Sequence, residues 1–146
     1  MTVDNELNPA LGIDLGTTFS AIARWDGRGT RTYQTSGGTD TLPSVVYYDP
    51  NHDDLIVGEV AYKRGLLNPK NMAIGVKREM DHADKKIVLG GREFSPIELS
   101  SLILGRLYQD VQEIYGAYGS FSSRGTVVTV PYLRHINTKM SEKRLN

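Results

Sequence analysis

The stretch Leu11-Gly12-Ile13-Asp14-Leu15-Gly16-Thr17-Thr18 narrows the possible folds more than any other part of the chain. A short apolar strand runs into a glycine and two threonines, with one carboxylate inside the apolar run. Glycine at position 16 lets the backbone turn tightly and approach a ligand closely. Successive N–H groups in such a turn cradle an anion, and threonine hydroxyls add further donors. An unpaired charge in an apolar strand is costly, so Asp14 calls for a partner. Beside a phosphate cradle, the usual partner of a carboxylate is a hydrated cation, most often Mg²⁺. An ordinary hairpin, with its aspartate hydrogen-bonded at the strand end, accounts for the same pattern equally well.

The rest of the chain bounds the answer. Its 146 residues suffice for one ordinary domain with a core. Lys plus Arg and Asp plus Glu number 17 each, so the formal charge is zero. That argues against a nucleic-acid surface driven by bulk charge. The absence of cysteine excludes a disulfide framework and thiol chemistry. No apolar run is long enough to span a bilayer, which argues against a membrane protein. Residues 1–10 are polar and acidic, unlike a signal peptide, and 1–9 read as a flexible tail. The expectation is a soluble, cytoplasmic protein.

Strands are expected over 10–15, 18–25 and 30–36, with turns at Gly16-Thr17 and at Asp26-Gly27-Arg28-Gly29. Residues 44–48, rich in Val and Tyr, read as a fourth strand. A short helix over 59–67 is stopped by Asn68-Pro69, and a second over 71–78 leads to Lys77. Residues 86–89 and 92–94 form a small hairpin around Gly90-Gly91. The clearest helix spans 96–115. Ser95-Pro96-Ile97-Glu98 combines a capping box with proline at the first helical position. Leu99, Leu102, Ile103, Leu107, Val111 and Ile114 then recur at helical spacing, a core stripe, and Gly116 serves as C-cap. Residues 125–130 read as a last strand, ended by Pro131.

Other candidate groups read as ordinary. His52, His82 and His135 lack metal-ligand spacing and read as surface residues. Asp53-Asp54 is a loop pair before a strand, and Asp81, Asp84, Lys85 and Lys86 form a solvated turn. Tyr108, Tyr115 and Tyr118 read as helix packing, since no basic stripe accompanies them as base stacking would require. No Gly-x-x-x-x-Gly-Lys-Ser/Thr loop is present, so the chain is not a P-loop enzyme.

Gly12-Ile13-Asp14-Leu15-Gly16-Thr17-Thr18-Phe19-Ser20 resembles the first phosphate motif of the DnaK-type heat-shock chaperones. Further segments fit the same family in the right order: Asp40-Thr41-Leu42-Pro43-Ser44-Val45-Val46, Ile56-Val57-Gly58-Glu59-Val60-Ala61, Asn68-Pro69-Lys70-Asn71, the helix entry at Phe94-Ser95-Pro96, and Val127-Val128-Thr129-Val130-Pro131. The resemblance covers roughly residues 11–131. It implies an α/β fold, the ribonuclease-H-like first lobe of an actin-like ATPase. Residues 10–43 and 96–146 would form its core subdomain and 44–95 a smaller one, with strand 125–130 parallel to and beside the first.

The resemblance also implies roles. Gly16, Thr17 and Thr18 would hold the phosphates of ATP or ADP, and Asp14 would organise Mg²⁺ through water. Lys77, in Val76-Lys77-Arg78, falls at the family's catalytic lysine and would stand near the γ-phosphate; by itself a Lys-Arg pair at a helix end is a solvated charge pair. Pro131 falls at a proline linked to interdomain signalling. Family partners are unfolded peptides, a J-domain co-chaperone and a nucleotide-exchange factor.

Two departures stand out. The segment between Arg78 and Phe94 is short, like the compact second subdomain of some bacterial members. Residues Tyr132 to Ser141 leave the family pattern. The family's second phosphate loop, adenosine motif, second lobe and peptide-binding domain would lie beyond residue 146. The expectation is a fragment with little hydrolysis of its own and a tendency to self-associate. A non-catalytic interaction module, or a fragment of an actin-like sugar or acetate kinase, are the alternatives; Thr41-Leu42-Pro43-Ser44 and Val76-Lys77-Arg78 favour the chaperone over the kinase.

Overall fold

The computed structural model of the chain describes residues 10–25, 27–82, 84–115 and 125–129. Its main sheet holds β1 (Ala10–Asp14), β2 (Phe19–Trp25), β3 (Thr30–Thr32), β4 (Leu42–Pro43) and β10 (Gly125–Thr129). The order is β10-β1-β2-β3, with β4 pairing the start of β2 at Phe19↔Pro43 and Ser20↔Leu42. β1 and β2 are antiparallel, whereas β10 runs parallel to β1 in the register Ala10↔Gly125 to Asp14↔Thr129. Parallel pairing demands a long crossover, and this one contains everything between the meander and β10. The order and direction are those expected of a ribonuclease-H-like lobe.

A second sheet has the order β6-β5-β7, made of β5 (Val45–Asp49), β6 (Asp54–Val57) and β7 (Met72–Ile74). Helix α1 (Glu59–Leu67) packs on it, burying Ala61 and Gly65. β8 (Ile87–Leu89) and β9 (Arg92–Phe94) form the expected hairpin. Helix α2 (Pro96–Tyr115) has the expected bounds. Its capping box is formed: Ser95 N–H donates to Glu98 Oε2 at 2.6 Å, and Glu98 N–H to Ser95 Oγ at 3.1 Å. These bonds hold the Glu98 carboxyl below the usual carboxylate range.

Leu99, Ile103, Leu107 and Val111 are buried along one stripe of α2, against Leu11, Ile13, Leu15 and Ile22 of the main sheet region. Each such side chain contributes roughly 1.5–3 kcal/mol of burial. Tyr115 ends the helix with its ring 4.5 Å from that of Tyr33, and its hydroxyl accepts the Gln34 N–H at 3.1 Å. One core cluster joins the α2 stripe, Tyr33 and the main-sheet residues to Val46, Tyr48, Leu89 and Phe94 from the second sheet and the hairpin.

Three sequence expectations need correction. The helix expected over 71–78 is a strand between two single-turn 3₁₀ segments, Pro69–Asn71 and Val76–Glu79. Met72-Ala73-Ile74 pairs with β5, Ala73 buried in the main core and Met72 packed from the other face on Val45, Tyr47 and Ala61; edge pairing with an existing sheet outweighs local helix preference. The third strand ends at Thr32 and not at 36, because Thr35 N–H turns to bond Thr39 O. The fourth strand runs 45–49 and not 44–48, because Ser44, whose N–H donates to Thr18 O at 2.8 Å, is held at the first turn and separates it from β4. Gly116, Tyr118, Pro131 and His135 lie outside the described residues.

Candidate functional site

The turn between β1 and β2 is built from the inside. Ser20 and Ser44 are almost fully buried, and their hydroxyls lie 2.7 Å apart. Gly16 N–H donates to Ser20 Oγ at 3.2 Å. With the Ser44–Thr18 backbone bond, these contacts pin both ends of the turn from beneath. A Cβ at Gly16 would stand 1.8 Å from the Phe19 carbonyl oxygen, so this path is open to glycine alone. Sequence reasoning left Ser20 and Ser44 out; nothing in their spacing reveals that they meet. Ser20→Ala should cost about 2 kcal/mol, because it takes the partner from the part-buried Gly16 N–H and from the buried Ser44 hydroxyl. Denaturant unfolding should show a lower midpoint at unchanged slope.

Asp14 is the last residue of β1, exposed at the carboxyl end of the parallel pair. Its Oδ1 accepts a hydrogen bond from Thr129 Oγ1 at 2.8 Å. The strand end thus carries an accessible carboxylate next to a glycine turn, and not a buried charge. In open α/β sheets, ligands lie at this end of the strands. The donor set fits hydrated Mg²⁺ and phosphate: a carboxylate, two threonine hydroxyls and a tight backbone turn.

Lys77 lies in the second 3₁₀ segment, half-buried, and makes no side-chain ion pair among the described residues. The segment is entered through Gly75, which is left-handed with φ 66°. A Cβ at Gly75 would lie 3.8 Å from Thr17 Cγ2, so the bend before Lys77 passes beside the Gly16-Thr17-Thr18 turn with room for little more than a side-chain carbon between them. A cleft of about 430 Å³ opens beside this contact, lined by Thr17, Thr18, Ser44, Tyr62, Gly75 and Arg78 among others. Asp14, Gly16 and Lys77 are not among its lining residues.

The remaining candidates behave as ordinary structure. His52 is exposed but its Nδ1 lies 2.9 Å from Asp49 Oδ2. That contact, with those from the Asn51 N–H and Arg64 Nη1, holds the Asp49 carboxyl below its usual range. Asp53 stands in the turn and accepts from the Tyr48 hydroxyl and Arg92, while Asp54 begins β6. His82 is exposed, and Lys85 pairs with Glu79. Asp110, nearly fully buried on α2, pairs with Arg106 Nε at 2.9 Å and accepts the Ser36 N–H, fastening the 33–36 loop to the helix. Among the described residues no group of His, Cys, Asp and Glu could hold a metal ion by itself. No described helix is long and apolar enough to cross a membrane.

A three-stranded meander with a parallel fourth strand beside β1 is the sheet of a ribonuclease-H-like lobe of the actin-like fold. The family model described as "Hsp70 protein" matches residues 10–134, and the chain belongs to the Hsp70 family. Its matched stretch is nucleotide-binding-domain sequence of a chaperone ATPase.

Proposed function

We propose that this chain supplies the first-lobe half of an ATP site in a DnaK-type protein-folding chaperone. Gly16, Thr17 and Thr18 hold the phosphates, Asp14 orients the water shell of Mg²⁺, and Lys77 stands at the γ-phosphate. The observation that carries the reading is that Gly75, at the entry to the Lys77 segment, lines the same cleft as Thr17 and Thr18, so the segment and the threonine turn lie side by side. When bound, Mg²⁺ would neutralise phosphate charge. The chain's own part is positioning: N–H and hydroxyl donors fix the phosphates, and a lysine charge favours the transferring group.

The second sheet and the β8–β9 hairpin lie within 45–94, which supports 44–95 as the smaller subdomain and 10–43 with 96–146 as the core one. The short run from Arg78 to Phe94 suits a compact, bacterial-type member. Unfolded peptides, a J-domain co-chaperone and an exchange factor are the partners this reading assigns to the protein, in the cytoplasm. Pro131, outside the described residues, is assigned interdomain signalling. β3 and β10 end the described main sheet, and such edges favour self-association.

The test is ATP titration of the ¹⁵N-labelled chain with and without Mg²⁺. Amide shifts should concentrate on Gly16, Thr17, Thr18 and Lys77. Asp14→Asn keeps the shape and removes the charge, so it should raise the Mg²⁺ concentration at half effect by roughly tenfold. An unchanged Mg²⁺ requirement in Asp14→Asn would remove Asp14 from the metal's surroundings.

A further inference from the structure

We infer that Thr129 is a positioning residue for Asp14, holding its carboxylate in the orientation that the metal's water shell needs. The inference rests on the reading of Asp14 given above. Its own basis is a contact between the two strands that the parallel pairing brings together. Asp14 and Thr129 are partners in the β1–β10 register, at the carboxyl ends of both strands. Thr129 Oγ1 lies 2.8 Å from Asp14 Oδ1 and 3.3 Å from the Ile13 carbonyl oxygen.

The chemistry of the two acceptors decides what the contact does. A hydroxyl has one proton to donate. The carboxylate is the closer and the charged acceptor, and charge-assisted bonds are the stronger kind. The proton therefore goes to Oδ1, leaving Oδ2 and the remaining lone pairs of Oδ1 to face outward. Among the described residues, Asp14 makes no ion pair that would fix it instead. An exposed aspartate at a strand end is otherwise free to change rotamer, and Thr129 removes that freedom. Ligating carboxylates and histidines are commonly oriented by such outer partners.

A link between the first strand and one more than a hundred residues later follows from the fold. β10 contributes no phosphate donor in the proposed site, yet its register sets the aim of the carboxylate. A slip of one residue in the β1–β10 pairing would carry the Thr129 side chain to the other face of the sheet.

The experiment uses the full 146-residue chain. Thr129→Val removes the hydroxyl at nearly constant shape; Thr129→Ser keeps it; Asp14→Asn is the reference. The first readout is the Asp14 side-chain rotamer, from ¹H–¹H and ¹³C couplings without ligand. The second is the Mg²⁺ concentration at half effect for ATP-induced amide shifts at Gly16 and Thr17. Thr129→Val should give averaged Asp14 couplings and raise the Mg²⁺ requirement roughly tenfold, with Thr129→Ser staying close to the parent. A single unchanged Asp14 rotamer in Thr129→Val overturns the inference, whatever the metal response. So does an unchanged Mg²⁺ requirement in Thr129→Val when Asp14→Asn raises it, and in that case the reading of Asp14 stands. An unresponsive Asp14→Asn, or no Mg²⁺-dependent ATP binding by the parent chain, overturns that reading and this inference with it.

Discussion

Gly16→Ala and the larger Gly16→Val should abolish the ATP-induced shifts at Thr17 and Thr18 equally. The reason is internal to the turn. The first carbon of any side chain at position 16 would sit 1.8 Å from the Phe19 carbonyl oxygen, which is backbone and cannot swing aside. The turn must reroute, and rerouting breaks the Gly16–Ser20 bond and the Ser20–Ser44 pair beneath it. Strain of this kind typically costs about 1–3 kcal/mol in stability, so the core packed against α2 should survive while the cradle does not. Gly12→Ala is the control, because a Cβ there meets nothing within 4 Å. Its ATP response and unfolding midpoint should stay near the parent's. The comparison separates two explanations for the glycine. If only the larger valine abolished the response and alanine were tolerated, the glycine would serve the ligand's approach and not the path of the turn.

The local elements were legible in the sequence wherever a strong signal stood alone. The capping box at Ser95 and the apolar stripe from Leu99 to Val111 mark α2 to the residue. The helix at 59–67 and the 92–94 strand were equally legible. Boundaries failed where a long-range bond decided them. The fourth strand starts after Ser44 because Ser44 bonds Thr18 and Ser20, and 72–74 extends because β5 offers an edge. The site shows the same division. Gly16, Thr17 and Thr18 lie in one continuous motif, so the tight turn itself was readable, with Gly16 at the position where no side chain fits. Lys77 was reachable only through family resemblance, since its nearness to the turn depends on the bend at Gly75. Ser20, Ser44 and Thr129 were not readable as site residues, because each acquires its role from a partner at least four positions away.

Lys77→Met should lower single-turnover ATP hydrolysis on the order of a hundredfold in the ATPase that contains this lobe, with little change in ATP affinity. One preorganised charge facing the transferring group is worth about 3 kcal/mol in the transition state, which sets that scale. The separation of rate from binding follows from where the two basic neighbours stand. Arg78 lines the cleft beside Thr17 and Thr18, whereas Lys77 does not and keeps its charge unpaired among the described residues. Arg78→Met should therefore weaken ATP binding more than it slows the chemical step. Losing a charge that acts only as the phosphoryl group moves lowers the rate without weakening ground-state binding. The measurement is single-turnover hydrolysis at saturating ATP alongside equilibrium affinity for both variants. If Lys77→Met weakened binding and left the hydrolysis rate intact, Lys77 would be a binding residue and its catalytic assignment would be wrong.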